Sequence, residues 1–126
     1  MAATYEVRAE TKVNLSQQDI DDIMAAALEG GINYWCRKAE VVGDYLGEYA
    51  SEQISREGTL LLYDAESDDR WELTLFKFLT GFKMWLEDGR DKYGAVEQGE
   101  VDCCNIDAGC ADEIVQYALF GEVMFG

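Results

Sequence analysis

The patterning of the chain predicts an α+β fold: a single domain in which a small antiparallel sheet of about three strands is covered by about three helices. Three stretches carry that prediction. Residues 15–35 (LSQQDIDDIMAAALEGGINYW) open on a helix cap and continue as one apolar face. Residues 59–74 read as two strand-forming runs around a polar turn. Residues 74–89 and 107–121 each run from a capping side chain, through helically spaced apolar positions, to a glycine.

In order, residues 4–15 come first. Tyr5, Val7, Ala9, Thr11, Val13 and Leu15 alternate with Glu6, Arg8, Glu10, Lys12 and Asn14, the period of two that marks a half-buried strand. Ser16 with Asp19 three positions on is the acidic variant of a capping box, and Leu15 can staple onto Ile20. Ile20, Ile23, Met24, Ala27 and Leu28 then fall on one helical face, with Asp19, Asp21 and Asp22 turned away from it. Gly30 and Gly31 offer the positive φ that ends a helix. Residues 32–43 could extend the helix past a glycine kink or form a second strand, with an irregular or extended stretch the favoured reading, and residues 48–56 read as a short, weakly marked helix.

Residues 59–64 (TLLLYD) and 70–74 (RWELT) form strands around the turn 65–69, with Trp71 and Leu73 on one face. Thr74 caps the next helix, whose stripe is Leu75, Phe78, Leu79, Phe82, Trp85 and Leu86, closed by Gly89. Residues 90–105 are acidic and glycine-containing, and read as a loop. Asp107 caps a helix with Ala111, Ile114, Val115 and Ala118 inward and Gly121 as its stop, leaving EVMFG as a short strand or an apolar plug.

Composition narrows the function. The chain has 126 residues, 26 Asp and Glu against 10 Lys and Arg, and a net charge of −16. Small soluble domains carry a net charge of magnitude ~2 to 8, so this field is unusually strong. It repels nucleic acid and anionic lipid and attracts cationic protein surfaces, so direct DNA or RNA binding and membrane association are not expected. No apolar run of membrane-spanning length occurs, and the opening residues lack the apolar stretch of a signal peptide, so the expected location is the cytoplasm. The four cysteines read as reduced thiols in that setting.

Histidine is absent, which removes the commonest general base and the nucleophilic triads built on it. No catalytic residue, cofactor or metal is therefore expected. Cys103, Cys104 and Cys110 near Asp102 and Asp107 lack zinc-knuckle spacing. The stretch 64–69 lacks the glycine and bidentate glutamate of a calcium loop. One constellation, Gly30, Gly31, Asn33, Tyr34 and Trp35, places bare backbone, an amide and two amphipathic rings together, material for a small-ligand or peptide pocket. The plainer reading is that Tyr34 and Trp35 pack on the sheet and Gly31 lets helix and strand approach closely.

The runs EGGINYWCRKAEVVG, GTLLLYDAESDDRWELT with LFKFLTGFKMWLEDG, and DEIVQYALFGEVMFG together resemble a group of small uncharacterised phage and prophage (mobile-element) proteins of Gram-positive gut bacteria. The resemblance covers most of the chain after about residue 11 and hands over no site. It implies a genomic setting in which small acidic proteins without enzymatic groups include inhibitors that imitate DNA phosphate. Such anti-CRISPR or anti-restriction inhibitors occupy the basic cleft of a host nuclease or CRISPR effector.

DNA presents one charge per ~1.7 Å of axis, so such a mimic needs carboxylates arrayed on one face. The candidates are Asp19, Asp21, Asp22, Asp64, Glu66, Asp68, Asp69, Asp88, Asp91, Glu97 and Glu100. The expected role is thus a non-enzymatic accessory protein that binds a host protein with a basic surface. The alternatives are a small-ligand binder using Gly30 to Trp35, and an acidic domain whose charge only solubilises it. Residues 123–125 are a candidate homodimer contact.

Overall fold

The Ser16 side chain accepts from Asp19 N at 3.0 Å, and the Asp19 carboxylate accepts from Ser16 N at 2.9 Å. That reciprocal cap starts α1, Gln17–Ala26, as its sequence requires. The computed structural model describes residues 3–5 and 12–126, so half of the strand expected over 4–15, residues 6–11, lies outside the described residues. At its described end Asn14 forms a parallel bridge with Glu100.

α1 does not end by a positive φ at Gly30 and Gly31. Instead the chain continues into a π-helical turn, Ala27–Gly31, and neither glycine is left-handed. Gly31 is needed for another reason. A Cβ there would overlap the carbonyl oxygen of Ala108, so its bareness lets the turn sit against the start of the last helix. The close approach is therefore to a helix, where the sequence suggested a strand.

A three-stranded antiparallel sheet follows, in the order β1 (Cys36–Val41), β2 (Leu60–Asp64), β3 (Arg70–Leu73). Its register pairs Val41 with Leu60 and Leu60 with Leu73, and a bulge interrupts the first ladder between Cys36 and Lys38. Leu60, Leu62 and Leu73 are fully buried, with Trp71 half-buried beside them, as the alternation in the hairpin required. Between β1 and β2 the expected helix is replaced by two 3₁₀ turns, Ala50–Glu52 and Ile54–Arg56. Gln53 is buried between them and holds the preceding loop, accepting from Leu46 N at 2.9 Å and donating to Leu46 O at 2.7 Å.

Thr74 caps α2, Leu75–Glu87, and Gly89 at φ 72° closes it. Its inward stripe is narrower than the spacing suggests, because Phe78, Gly81, Phe82 and Trp85 are buried while Leu79 is exposed. Gly81 explains the narrowing. It faces Ala118 of α3, Ala108–Phe120, so closely that a Cβ at Gly81 would overlap the Ala118 backbone. The glycine thus sets where the two helices touch.

The segment between α2 and α3, expected as loop, contains a hairpin of β4 (Val96–Glu97) and β5 (Glu100–Val101) and a 3₁₀ turn, Cys103–Asn105. Gln98 and Gly99 at φ 51° and 79° give the left-handed pair that closes a two-residue hairpin turn. Asp107 caps α3 through Cys110 N at 2.8 Å, and Gly121 at φ 75° stops it. Helices, sheet and 3₁₀ turns meet in one core of residues including Ile23, Met24, Ile54, Phe78, Trp85 and Ile114. Each such side chain contributes roughly 1.5–3 kcal/mol by leaving water. Among the described residues no helix is long and apolar enough to cross a membrane.

Candidate functional site

The acidic candidates separate into two groups. Asp64, Glu66, Asp68 and Asp69 belong to the β2–β3 turn, next to Trp35, whose carbonyl accepts from Ala65 N at 2.8 Å. Asp19 and Asp22 lie in the first two turns of α1, 12 and 9 residues before Gly31 at the other end of the first helical unit, a separation of about 14–18 Å at 1.5 Å per residue.

At the start of α1 Asn14 joins the helix to the β4–β5 hairpin, its N–H donating to Gly99 O at 2.7 Å and its amide to Glu100 at 3.2 Å. Asp102 caps the adjoining 3₁₀ turn through Cys104 N at 3.0 Å. The hairpin and this turn enclose an open depression of about 390 Å³, lined by Glu97, Glu100, Asp102, Gln98, Asn105 and the neighbouring backbone. Cys103 reports the local field. Burial first, then the carboxylates of Asp19, Asp22 and Asp102, push its thiol up to about 12.

Glu97 and Glu100 face each other directly across the hairpin, a like-charge pairing that weakens a two-stranded ribbon. Asp102 and Asn105, absent from the acidic face read in the sequence, complete the lining. The turn glycine at Gly99, flanked by alternating Val96, Glu97, Glu100 and Val101, was the available hairpin signal.

Several of the other candidates are engaged within the fold. Asp21 is not on an outer face: it accepts from Ser55 and pairs with Arg56 at 3.4 Å. Asp88 accepts from Tyr117 at 2.6 Å, and Asp91 holds the loop through Ala95 N at 2.7 Å and Val96 N at 3.1 Å. Asp64 accepts from Ser67 and Glu66 N inside its turn.

Cations collect on the opposite side of the sheet from the core. Arg37 and Lys38 lie 5.1 and 5.5 Å from the Tyr63 ring centre, and Arg70 is paired with Tyr63 across the ladder. The turn group of acids therefore adjoins positive charge; the group at α1 and β4–β5 gathers Asp19, Asp22, Glu97, Glu100 and Asp102, with the Lys12 backbone packed against Gly99.

In the second candidate constellation, Gly30, Asn33 and Tyr34 are exposed, Gly31 is half-buried, and only Trp35 is buried, so the five residues do not line one pocket. Trp35 Nε1 donates to Asp112 at 2.7 Å and the Tyr34 hydroxyl to the other Asp112 oxygen at 2.7 Å. Burial and that carboxylate push the Tyr34 hydroxyl up to about 12. Gln116, one turn along α3, donates to Asp112 at 2.9 Å. Trp35 stacks on Phe125 with ring centres 5.1 Å apart and planes 5° apart, so EVMFG is a plug. Asp112 and Gln116 carried a signal that the sequence reading passed over, a polar pair at i and i+4 bordering an apolar stripe.

No protein-family model, curated protein sequence or solved structure matches the chain. All four cysteines are free thiols, Cys36 and Cys110 buried and Cys104 exposed. Among the described residues no group of three or more Cys, Asp or Glu side chains is placed to hold a metal ion.

Proposed function

We propose that this chain is a non-enzymatic protein-binding domain whose acidic pole receives a basic surface of another protein. The observation that carries the reading is the open depression bounded by Glu97, Glu100 and Asp102, with Asp19 against Cys103, the residue that follows Asp102. A Lys or Arg side chain entering it meets several carboxylates from one side, and such complementarity speeds and orients association. The concrete form is a mobile-element accessory protein that occupies the nucleic-acid cleft of a host defence nuclease or CRISPR effector, using carboxylates where DNA presents phosphate.

The β2–β3 turn is a weaker candidate, because Arg37 and Arg70 adjoin it and Asp64 is used internally. The Gly30 to Trp35 stretch lends no support to a small-ligand site, since the polar atoms of Tyr34 and Trp35 are taken up by Asp112.

Affinity capture from a bacterial host lysate tests the proposal, comparing the native chain with a Glu97→Gln, Glu100→Gln, Asp102→Asn variant. The expected result is a basic protein retained at low salt, released at high salt, and missing from the variant's eluate. Retention of the same protein by native chain and variant alike contradicts it.

A further inference from the structure

The closing segment 122–126 lies on the fold much as a bound peptide lies on a receptor. It has no regular secondary structure and none of its residues is fully buried, whereas the surface beneath it is interior in character: Trp35 is 2% exposed and Gln116 0%. Gln116 reads the segment's backbone. Its Oε1 accepts from Met124 N at 2.7 Å and Phe125 N at 2.8 Å, and its Nε2 donates to Phe125 O at 3.1 Å. The Tyr34 hydroxyl lies 3.1 Å from that same carbonyl. The Phe125 ring fills an aromatic slot, stacked on Trp35 and edge-on to Trp71 and Phe120, at 6.2 and 5.8 Å between ring centres.

We propose that this groove is a peptide-binding site, held in cis by residues 122–126, and that its other occupant is an extended segment of a partner protein carrying an aromatic residue. The recognition elements define the ligand. Two successive backbone N–H groups satisfy Gln116 Oε1, so proline is excluded at the aromatic position and the one before it. The carbonyl of the aromatic residue satisfies Gln116 Nε2, and the ring supplies the stacking area. A segment lacking the ring leaves the slot unfilled and the buried carboxamide without a well-placed partner. Gly121, at φ 75°, separates the segment from α3 and supplies the hinge about which it leaves.

Because the cis segment is tethered, it competes at an effective concentration on the order of millimolar. A foreign peptide must therefore bind an unplugged chain more tightly than the native one.

The test uses the full-length chain carrying Phe125→Ala, titrated with a capped GEVMFG peptide and followed by tryptophan fluorescence. The variant is expected to bind at least roughly tenfold more tightly than the native chain, and the same peptide with alanine for phenylalanine to lose at least roughly tenfold. No saturable signal with a folded variant, or equal binding of the two peptides, overturns the proposal.

Hydrogen exchange on the native chain decides independently, even if Phe125→Ala does not fold. Met124 and Phe125 amides are expected to exchange by local opening, roughly a hundredfold or more faster than core amides such as Leu62. Exchange at the rate of the core overturns a detachable segment. A native dimer that the peptide dissolves would place the segment of a second copy in the groove and overturn the assignment to a partner protein.

Discussion

The Trp35 indole N–H donates to a carboxylate oxygen of Asp112 at 2.7 Å, and both residues are buried. Asp112 also accepts from Tyr34 and Gln116, so a buried carboxyl group is held by three donors. Removing it leaves those donors orphaned. Asp112→Ala is expected to destabilise the fold by roughly 2–4 kcal/mol in urea unfolding, because buried unpaired polar groups each carry a desolvation penalty. Asp112→Asn should cost clearly less, since its oxygen still accepts from Trp35 and Tyr34 can turn its proton to the Phe125 carbonyl. Equal losses for the two variants would show that packing, and not hydrogen bonding, dominates here.

Two adjacent glycines should respond in opposite directions. Gly31→Ala drives a methyl into the Ala108 carbonyl and is expected to lower stability by roughly 2 kcal/mol or more, seen as a drop in Tm. Gly30 has open space around its missing Cβ and no positive φ, so Gly30→Ala should be neutral or stabilise by about 0.5–1 kcal/mol.

Alkaline pH should weaken the fold. Burial is the main reason that Cys103, Cys110 and Tyr34 are raised to about 12, 11 and 12, against ordinary values of 9.0 for the thiols and 10.0 for the phenol. The unfolded chain then releases these protons before the folded one does, so stability is full below about pH 9 and declines as pH climbs toward 12. Chemical denaturation midpoints across pH 8–11 check this. At pH 8, iodoacetamide followed by mass spectrometry should label exposed Cys104 well ahead of Cys103 and Cys110.

The facing pair Glu97 and Glu100 links stability to binding. Glu97→Lys replaces a repulsion across β4–β5 with an attraction and is expected to raise stability by about 0.2–1 kcal/mol. The same change should abolish retention of a basic partner. A variant both stabler and unable to bind would mean that the repulsion is retained for the partner's sake.

Much of the fold was legible because local signals agreed with tertiary needs. Ser16 with Asp19, Thr74 and Asp107 each cap the helix they were expected to cap, and the β2–β3 hairpin formed with Trp71 and Leu73 facing inward. What failed to show were features decided at long range. Gly31 resembled a helix stop, but its role depends on Ala108, far away in the chain. The third strand of the sheet came from residues 36–41, whose pattern was mixed because a bulge breaks the alternation at Arg37.

For the acidic site, composition identified carboxylates without distinguishing their work. Asp21, Asp64, Asp88 and Asp91 serve the fold through Arg56, Ser67, Tyr117 and the Ala95 amide, and only placement distinguishes them from Glu97 and Glu100. Gln53, buried and pinning a peripheral stretch of backbone, gave no sequence signal, and Gln116, which does the same for the closing segment, gave only its i, i+4 spacing from Asp112.

The most direct test of a one-sided acidic pole is an amide chemical-shift titration of the native chain with a tri-lysine peptide at low salt. Shifts are expected to concentrate at Asp19, Asp22 and residues 94–102, to shrink with added salt and to be absent in the Glu97→Gln, Glu100→Gln, Asp102→Asn variant. Shifts spread evenly over the surface, or centred on the 65–69 turn, would contradict a one-sided pole.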